Sequence, residues 1–388
     1  MASLARTGRR GLGSRADGKR FGRGGLGEAP GHGQAVSTFR PLPTLVLPGE
    51  SFAGRWGRRS VSVSLVLVLA AILWAGALFW LALAGFVDLV RGGGRRWGRV
   101  RCVGFFGLFL ACEVAGLIGA AALWLGTAAG ALVRPETYFA WNAALQRPWS
   151  GALFWGGARI FGLKLAVEGN DVVLPAPFIL LVRHSSTADT VFAAALVANP
   201  HRILLRYVLK RELLWDPCLD VVGRRLRNAF VDQSGRNPAR ELEAVAGLAR
   251  GLGDRDGVLI YPDGTRFSPA KRARVIAKLR EQGKEDAACA AEALSHVLPP
   301  RPGGTLALLE AAPDADVVTL VHTGLEDASS FRRFWRGAVV GATIRVRFSR
   351  VRAGEIPAGD RVAWLHERWA EVDRWVEAQR AQEGEGRS

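Results

Sequence analysis

Apolar positions fall into two regimes along this chain. From Val61 to Val87 there are 27 residues without a charge, more than the roughly 20 that cross a hydrocarbon core. That run predicts a membrane helix. A second apolar stretch, Cys102 to Val133, is also long enough, but Glu113 interrupts it. A carboxylate facing lipid is costly, so Glu113 is expected to hydrogen-bond inside the hairpin or to snorkel. Beyond Pro148 the apolar blocks shorten. Residues 177–183, 203–209, 257–261, 316–321 and 343–348 read as mostly buried strands. Between them, residues 188–197, 238–252 and 271–281 read as helices. The class that follows is α/β, a largely parallel sheet flanked by helices and preceded by an N-terminal hydrophobic helical hairpin. Near the C-terminus Val362, Leu365, Trp369, Val372 and Val376 share one helical face, which is expected to pack on the domain.

Composition divides the chain further. Residues 1–50 are rich in Gly, Arg and Pro without a hydrophobic period, so they lack the burial that offsets ordering entropy and read as disordered. The expected organisation is a basic tail over 1–60, the hairpin over 61–133, and a catalytic α/β domain with a C-terminal amphipathic helix over 134–388. The formal charge is +17, and residues 1–60 hold eleven Lys/Arg against three Asp/Glu. Nucleic acid and anionic lipid are both conceivable partners for such a charge. With two membrane-length segments beside it, lipid is the expectation and nucleic acid is not. Five arginines (Arg91, Arg95, Arg96, Arg99, Arg101) sit between the apolar runs, while the flanks are basic too. A hairpin entering one leaflet satisfies the positive-inside rule for all three segments; two full spans are the alternative.

Four cysteines without CxxC spacing support neither a disulfide framework nor a zinc site, and point to a reducing compartment. Apart from His184, the histidines His32, His201, His296, His322 and His366 are scattered singly. No metal is expected.

Two short segments carry candidate chemistry. Arg183-His184-Ser185-Ser186-Thr187-Ala188-Asp189 places a histidine and an aspartate five apart where a strand should end and a helix begin. At the rim of an α/β sheet polar side chains are presented to ligands, and amides at a helix start are free to bind anions. A neutral imidazole there can take the proton of an attacking alcohol, and a carboxylate behind it fixes the tautomer. Tyr261-Pro262-Asp263-Gly264-Thr265-Arg266 follows a second buried strand. Glycine permits close backbone approach and a guanidinium grips phosphate with two parallel hydrogen bonds, although Pro-Asp-Gly is also a plain turn signal.

In the order and spacing of these blocks the sequence resembles the glycerolipid acyltransferases of the lysophosphatidic acid (1-acylglycerol-3-phosphate) acyltransferase type. His184 to Asp189 corresponds to the family's histidine-aspartate motif, Phe230-Val231-Asp232-Gln233 to its second block, and Tyr261 to Arg266 to its third. Residues 297–304 and 364–369 look like the eukaryotic branch that includes lysocardiolipin and lysophosphatidylglycerol acyltransferases. The resemblance implies a membrane-bound enzyme that moves a fatty acyl group from acyl-CoA or acyl carrier protein, as co-substrate, to the hydroxyl of a lysophospholipid. It needs no cofactor and no acyl-enzyme intermediate. It assigns His184 as general base with Asp189 behind it, and Gly264, Thr265 and Arg266 to the acceptor phosphate, with backbone amides near the start of the following helix as oxyanion donors. Arg183, Gln233, Asp263 and Arg301 are further substrate-binding candidates. The expected location is the bacterial inner membrane or the endoplasmic reticulum, as an integral or monotopic protein with the catalytic domain cytoplasmic.

The sequence departs from the family pattern. Gln233 stands where arginine is usual, Arg183 replaces asparagine, Asp263 replaces glutamate, and Leu320-Val321-His322 lacks the expected proline. The acceptor headgroup therefore stays open between 1-acylglycerol-3-phosphate and other lysolipids such as lysophosphatidylglycerol or lysocardiolipin. A membrane-anchored binding protein without chemistry is the alternative from another class. Retention of His184, Asp189 and Arg266 together argues against it.

Overall fold

The computed structural model describes residues 50–91, 96–186, 188–232 and 237–385. The basic tail through residue 49 lies outside the described residues, as does Gln233.

Three apolar helices open the described chain: α1 (Phe52–Ala75), α2 (Ala77–Val90) and α3 (Gly98–Gly126). Helix α1 begins nine residues before the expected boundary at Val61, so residues 52–60 belong to it and not to the tail. Ser51 caps its first turn by accepting from the Gly54 amide at 3.0 Å. Arg58 and Arg59 then anchor that turn to the buried Asp220, at 3.1 and 2.6 Å. Glu50 pairs with Arg58 at 2.8 Å and with Arg224. The 27-residue uncharged run is not one helix. It breaks at Gly76, whose amide closes α1 on Ile72. Asp88, buried near the end of α2, accepts from the Arg99 and Val100 amides at 2.9 and 3.2 Å and pairs with the Arg99 guanidinium at 2.7 Å. It thus satisfies the open amides at the start of α3 and favours that helix dipole.

Helix α4 (Pro135–Phe161), not foreseen in the sequence pattern, packs along α3. Glu113 on α3 is fully buried and finds its partners outside the hairpin: Trp149 Nε1 of α4 donates to it at 3.1 Å and the Cys218 amide at 3.3 Å.

Seven strands form one sheet in the order β1-β7-β6-β2-β5-β3-β4. They are β1 (Lys164–Glu168), β2 (Phe178–Val182), β3 (Leu204–Lys210), β4 (Ala229–Val231), β5 (Asp256–Ile260), β6 (Asp316–Thr323) and β7 (Thr343–Val351). Every neighbouring pair is parallel except β6 with β7. Strand β2 is buried at all five positions, which is why its sequence is continuously apolar. Phe178, Leu180 and Val182 point into one core; Ile179 and Leu181 point into the other. Gly257 in β5 leaves room for Phe178 and Leu205, which a Cβ would meet at 2.9 Å. The two unforeseen strands gave little signal: β1 is an edge strand exposed at most positions and β4 has three residues.

After β2 come α5 (Asp189–Ala193) and α6 (Asn199–His201), joined by a π turn over Ala194–Ala198. Further helices are α7 (Pro217–Val221), α8 (Pro238–Ala249), α9 (Pro269–Glu281), α10 (Glu285–Glu292), α11 (Pro302–Ala311) and α12 (Phe331–Trp335). The C-terminal α13 (Arg361–Glu385) buries Leu365, Trp369, Val372 and Val376 against the second core. Val362, expected on the same face, is exposed. Strands β2 to β6 run in one direction, so their C-terminal ends open on one rim, the edge where ligands bind in sheets of this kind.

Candidate functional site

His184 leaves the C-terminal end of β2. Its Nδ1 lies 2.9 Å from Asp189 Oδ2, and its side chain retains 14 % exposure where it meets a cavity of about 570 Å³. Tyr261, from the end of β5, tilts its ring over the imidazole with centroids 4.6 Å apart. With Nδ1 committed to the carboxylate, Nε2 is the basic nitrogen and the one available to the cavity.

Asp189 is fully buried and gathers donors. Besides His184, its Oδ2 accepts from the amides of Ser185 at 2.6 Å and Ser186 at 2.8 Å, and its Oδ1 from Ser186 Oγ at 2.8 Å. Burial raises the carboxyl's affinity for a proton, yet His322 and then His184 beside it outweigh this and hold it below the usual carboxylate range. It stays ionised, as an orienting partner must.

The amides of the turn that precedes α5 are committed within the turn and do not serve an oxyanion. The Ser185 and Ser186 amides are spent on Asp189, and the Ala188 amide donates to Ser186 Oγ at 3.1 Å. The turn is thus closed on its own carboxylate, and Thr190 of α5 lines the cavity.

The third block splits in two directions. Gly264 sits at φ +65°, and a Cβ there would meet Arg301 Cδ at 3.1 Å. Gly264, Arg266 and Arg301 line the cavity. Thr265 does not; its hydroxyl accepts from Lys271 Nζ at 3.0 Å. Asp263 turns inward, taking the His184 amide on Oδ2 at 2.9 Å and Trp369 Nε1 on Oδ1 at 2.5 Å. Arg183 is also directed away from the cavity. Its fully buried guanidinium donates to the His322 carbonyl at 2.5 Å and the His296 carbonyl at 3.1 Å, and pairs with Glu326 at 2.9 Å. Arg183 and Asp263 are thus corrected from substrate-binding candidates to groups that brace the turn carrying His184. Alternating directions of side chains at a strand end put His184 on the rim and its neighbour in the core.

A cation missed in the sequence completes the rim. Lys210 ends β3 and lines the cavity. Burial, with Arg266 and Arg301 nearby and against the opposing Glu212, shifts its ammonium below the usual lysine range. Lys271 is lowered by burial, then by Arg266 and Lys210. Four like charges held this close mark a site for an anion. The available signal was positional: Lys210 follows an apolar strand as His184 does. The cavity is also lined by apolar side chains, among them Val191, Leu213, Leu219, Leu242 and Val245. Among the described residues no cluster of His, Cys, Asp or Glu is arranged to hold a metal ion.

Residues 164–322, from β1 through most of β6, match the model of the Acyltransferase family. The chain is 30 % identical over 122 residues to a 1-acyl-sn-glycerol-3-phosphate acyltransferase of Pseudomonas aeruginosa, covering 31 % of this chain and 44 % of that protein. It therefore spans less than half the length of this curated relative. The crystal structure of the 1-acyl-sn-glycerophosphate (LPA) acyltransferase PlsC from Thermotoga maritima aligns at 14 % identity with a TM-score of 0.38, over 69 % of this chain and 97 % of that one.

Proposed function

We propose that this protein transfers a fatty acyl group from an acyl thioester, acyl-CoA or acyl carrier protein, to the free hydroxyl of a lysophospholipid, with 1-acylglycerol-3-phosphate as the first choice. The observation that carries the reading is that one cavity is lined by the Asp189-backed His184, by the cations Lys210, Arg266 and Arg301, and by apolar side chains. An amphiphile with a phosphate next to a hydroxyl fits that division. As the acceptor oxygen attacks the thioester carbonyl, His184 Nε2 takes the hydroxyl proton and Asp189 stabilises the imidazolium. Collapse of the tetrahedral adduct breaks the carbon–sulfur bond, and the thiolate recovers the proton from His184. The rim cations hold the acceptor phosphate by charge-assisted bonds. The match to the Acyltransferase family over 164–322 supports the same assignment.

The apolar helices support a reading in which this chemistry occurs at a membrane. Among the described residues α1 and α3 are long and apolar enough to cross one. Yet α3 is packed on the domain along its length, through Cys102 against the Phe334 carbonyl at 3.3 Å, Glu113 against Trp149 and Cys218, and the Ala120 carbonyl against Arg225 at 3.0 Å. From Cys102 to Ala120 is about 27 Å of helix at 1.5 Å per residue, nearly a hydrocarbon thickness. A spanning α3 would carry Arg225 and the domain surface into lipid, which supports insertion of α1 to α3 into one leaflet. Trp149 and Gln146 of α4 line the cavity, so the lysolipid has an entry from that side.

The test is the purified full-length protein in mixed micelles with radiolabelled acyl-CoA and a panel of lysophosphatidic acid, lysophosphatidylglycerol and lysocardiolipin. Acyl transfer that disappears in His184→Ala, with unchanged thermal melting, is the expected result. Turnover in that variant above about one per cent of wild type contradicts a general-base role worth 10²–10⁴-fold.

A further inference from the structure

His322, one of the singly scattered histidines, ends up behind the catalytic carboxylate. It lies on β6, fully buried, with its ring stacked on Phe192 of α5 at 4.8 Å and an interplanar angle of 15°. Its Nε2 stands 3.2 Å from Asp189 Oδ1, at contact distance but off the ideal line of a hydrogen bond. Nδ1 has no hydrogen-bond partner among the described residues, and Nε2 has no other. The neighbours explain why the ring cannot turn elsewhere. Arg183, from the end of β2, occupies the His322 backbone carbonyl, and Glu326, after β6, is engaged by Arg183 and the Gly324 amide. A buried imidazole needs a partner for its N–H, and Asp189 is the acceptor within reach.

We propose that His322 is a positioning residue of the acyl-transfer site, donating Nε2–H to Asp189 Oδ1 so that the opposite carboxylate oxygen is held toward His184 Nδ1. Asp189 is then clamped from both sides. Ser186 Oγ and His322 meet one oxygen, and His184 with two amides meets the other. A carboxylate free to rotate would present a different lone pair to His184 and blur the tautomer that leaves Nε2 basic. The proposal rests on the acyl-transfer reading for its kinetic consequence, but the orientation of Asp189 and the tautomer of His184 stand apart from any substrate.

Two substitutions and one spectrum test it. His322→Phe keeps the stacking on Phe192 and removes the donor; His322→Gln restores an amide N–H at nearly the same reach. In His322→Phe, kcat is expected to fall about tenfold, the scale of one hydrogen bond lost, with the acceptor KM within about twofold. His322→Gln should recover most of the loss. The ¹⁵N shifts of the labelled His184 ring should report a single Nδ1–H tautomer in wild type and His322→Gln, and a mixture in His322→Phe. Wild-type kcat and an unchanged His184 spectrum in His322→Phe overturn the proposal, as does a glutamine variant no better than phenylalanine. Should His322→Phe fail to fold, the wild-type spectrum decides, since a proton on His322 Nδ1 in place of Nε2 is incompatible with the assignment. If wild type transfers no acyl chain, the functional reading fails and the His184 spectrum still tests His322.

Discussion

Asp263 joins the last helix to His184: Trp369 Nε1 donates to one of its oxygens at 2.5 Å while the other receives the His184 amide at 2.9 Å. A residue of α13 thereby fixes the backbone of the rim across the sheet, more than 180 positions away in sequence. Burial pushes the Asp263 carboxyl up to about 7, against the lowering influence of the His184 amide, Arg183 and Trp369. An unfolded aspartate releases its proton near pH 4, so between about pH 4 and 7 the native state binds more protons than the unfolded one, and stability falls as pH rises. Below that window both forms are protonated and the slope vanishes. Asp263→Asn should flatten the decline, by at most about 1.4 kcal/mol per pH unit. Denaturation midpoints measured from pH 4 to 8 for both proteins check it; an equal slope contradicts the assignment.

Arg183 tests the separation of bracing from binding. Arg183→Met removes the buried guanidinium from Glu326, leaving it Arg380 at 3.8 Å and the Gly324 amide, and strips two carbonyls of that donor. Loss of one partner of such a pair costs about 3–5 kcal/mol. The expected outcome is a lower melting temperature, with the acceptor KM of the remaining folded enzyme unchanged. A raised KM at unchanged stability would return Arg183 to the substrate.

On the rim, Arg266→Ala should raise the acceptor KM and spare that of acyl-CoA, because a charge-assisted contact is worth about 1.5–3 kcal/mol, roughly 10- to 150-fold. Gly264→Ala should act in the same direction through Arg301, since its φ of +65° is strained for alanine and the added Cβ meets that side chain at 3.1 Å. Initial rates with each substrate varied separately distinguish these from an effect on the acyl donor, which would reassign Arg266.

Truncation should be tolerated as far as residue 49 and no further. Glu50 pairs with Arg58 and Arg224, and Arg58 and Arg59 hold Asp220. Removal of residues 1–60 deprives the buried Asp220 of two of its three arginines, leaving Arg224 at 2.9 Å. The shorter deletion is expected to keep activity and melting temperature; the longer one should lower both. Equal behaviour of the two in detergent would show that the anchor at α1 is dispensable.

The sequence by itself determined what depends on local periodicity and on side-chain type. The five central strands are apolar runs whose buried environment demands them, and α8 and α9 lie where the helical pattern placed them. His184 and Asp189 could be paired because five residues of chain span a single turn. Tertiary structure decided what depends on direction and on distant partners. Arg183 and His184 are adjacent, yet one faces the core and the other the cavity, since successive side chains at a strand end point to opposite sides. Lys210, His322 and Trp369 join the site from three separate elements, and no local pattern announces them. The break at Gly76 and the burial of Glu113 likewise followed from packing: an uncharged run is compatible with any helix lengths, and a carboxylate becomes affordable in an apolar helix only once Trp149 and Cys218 are folded against it.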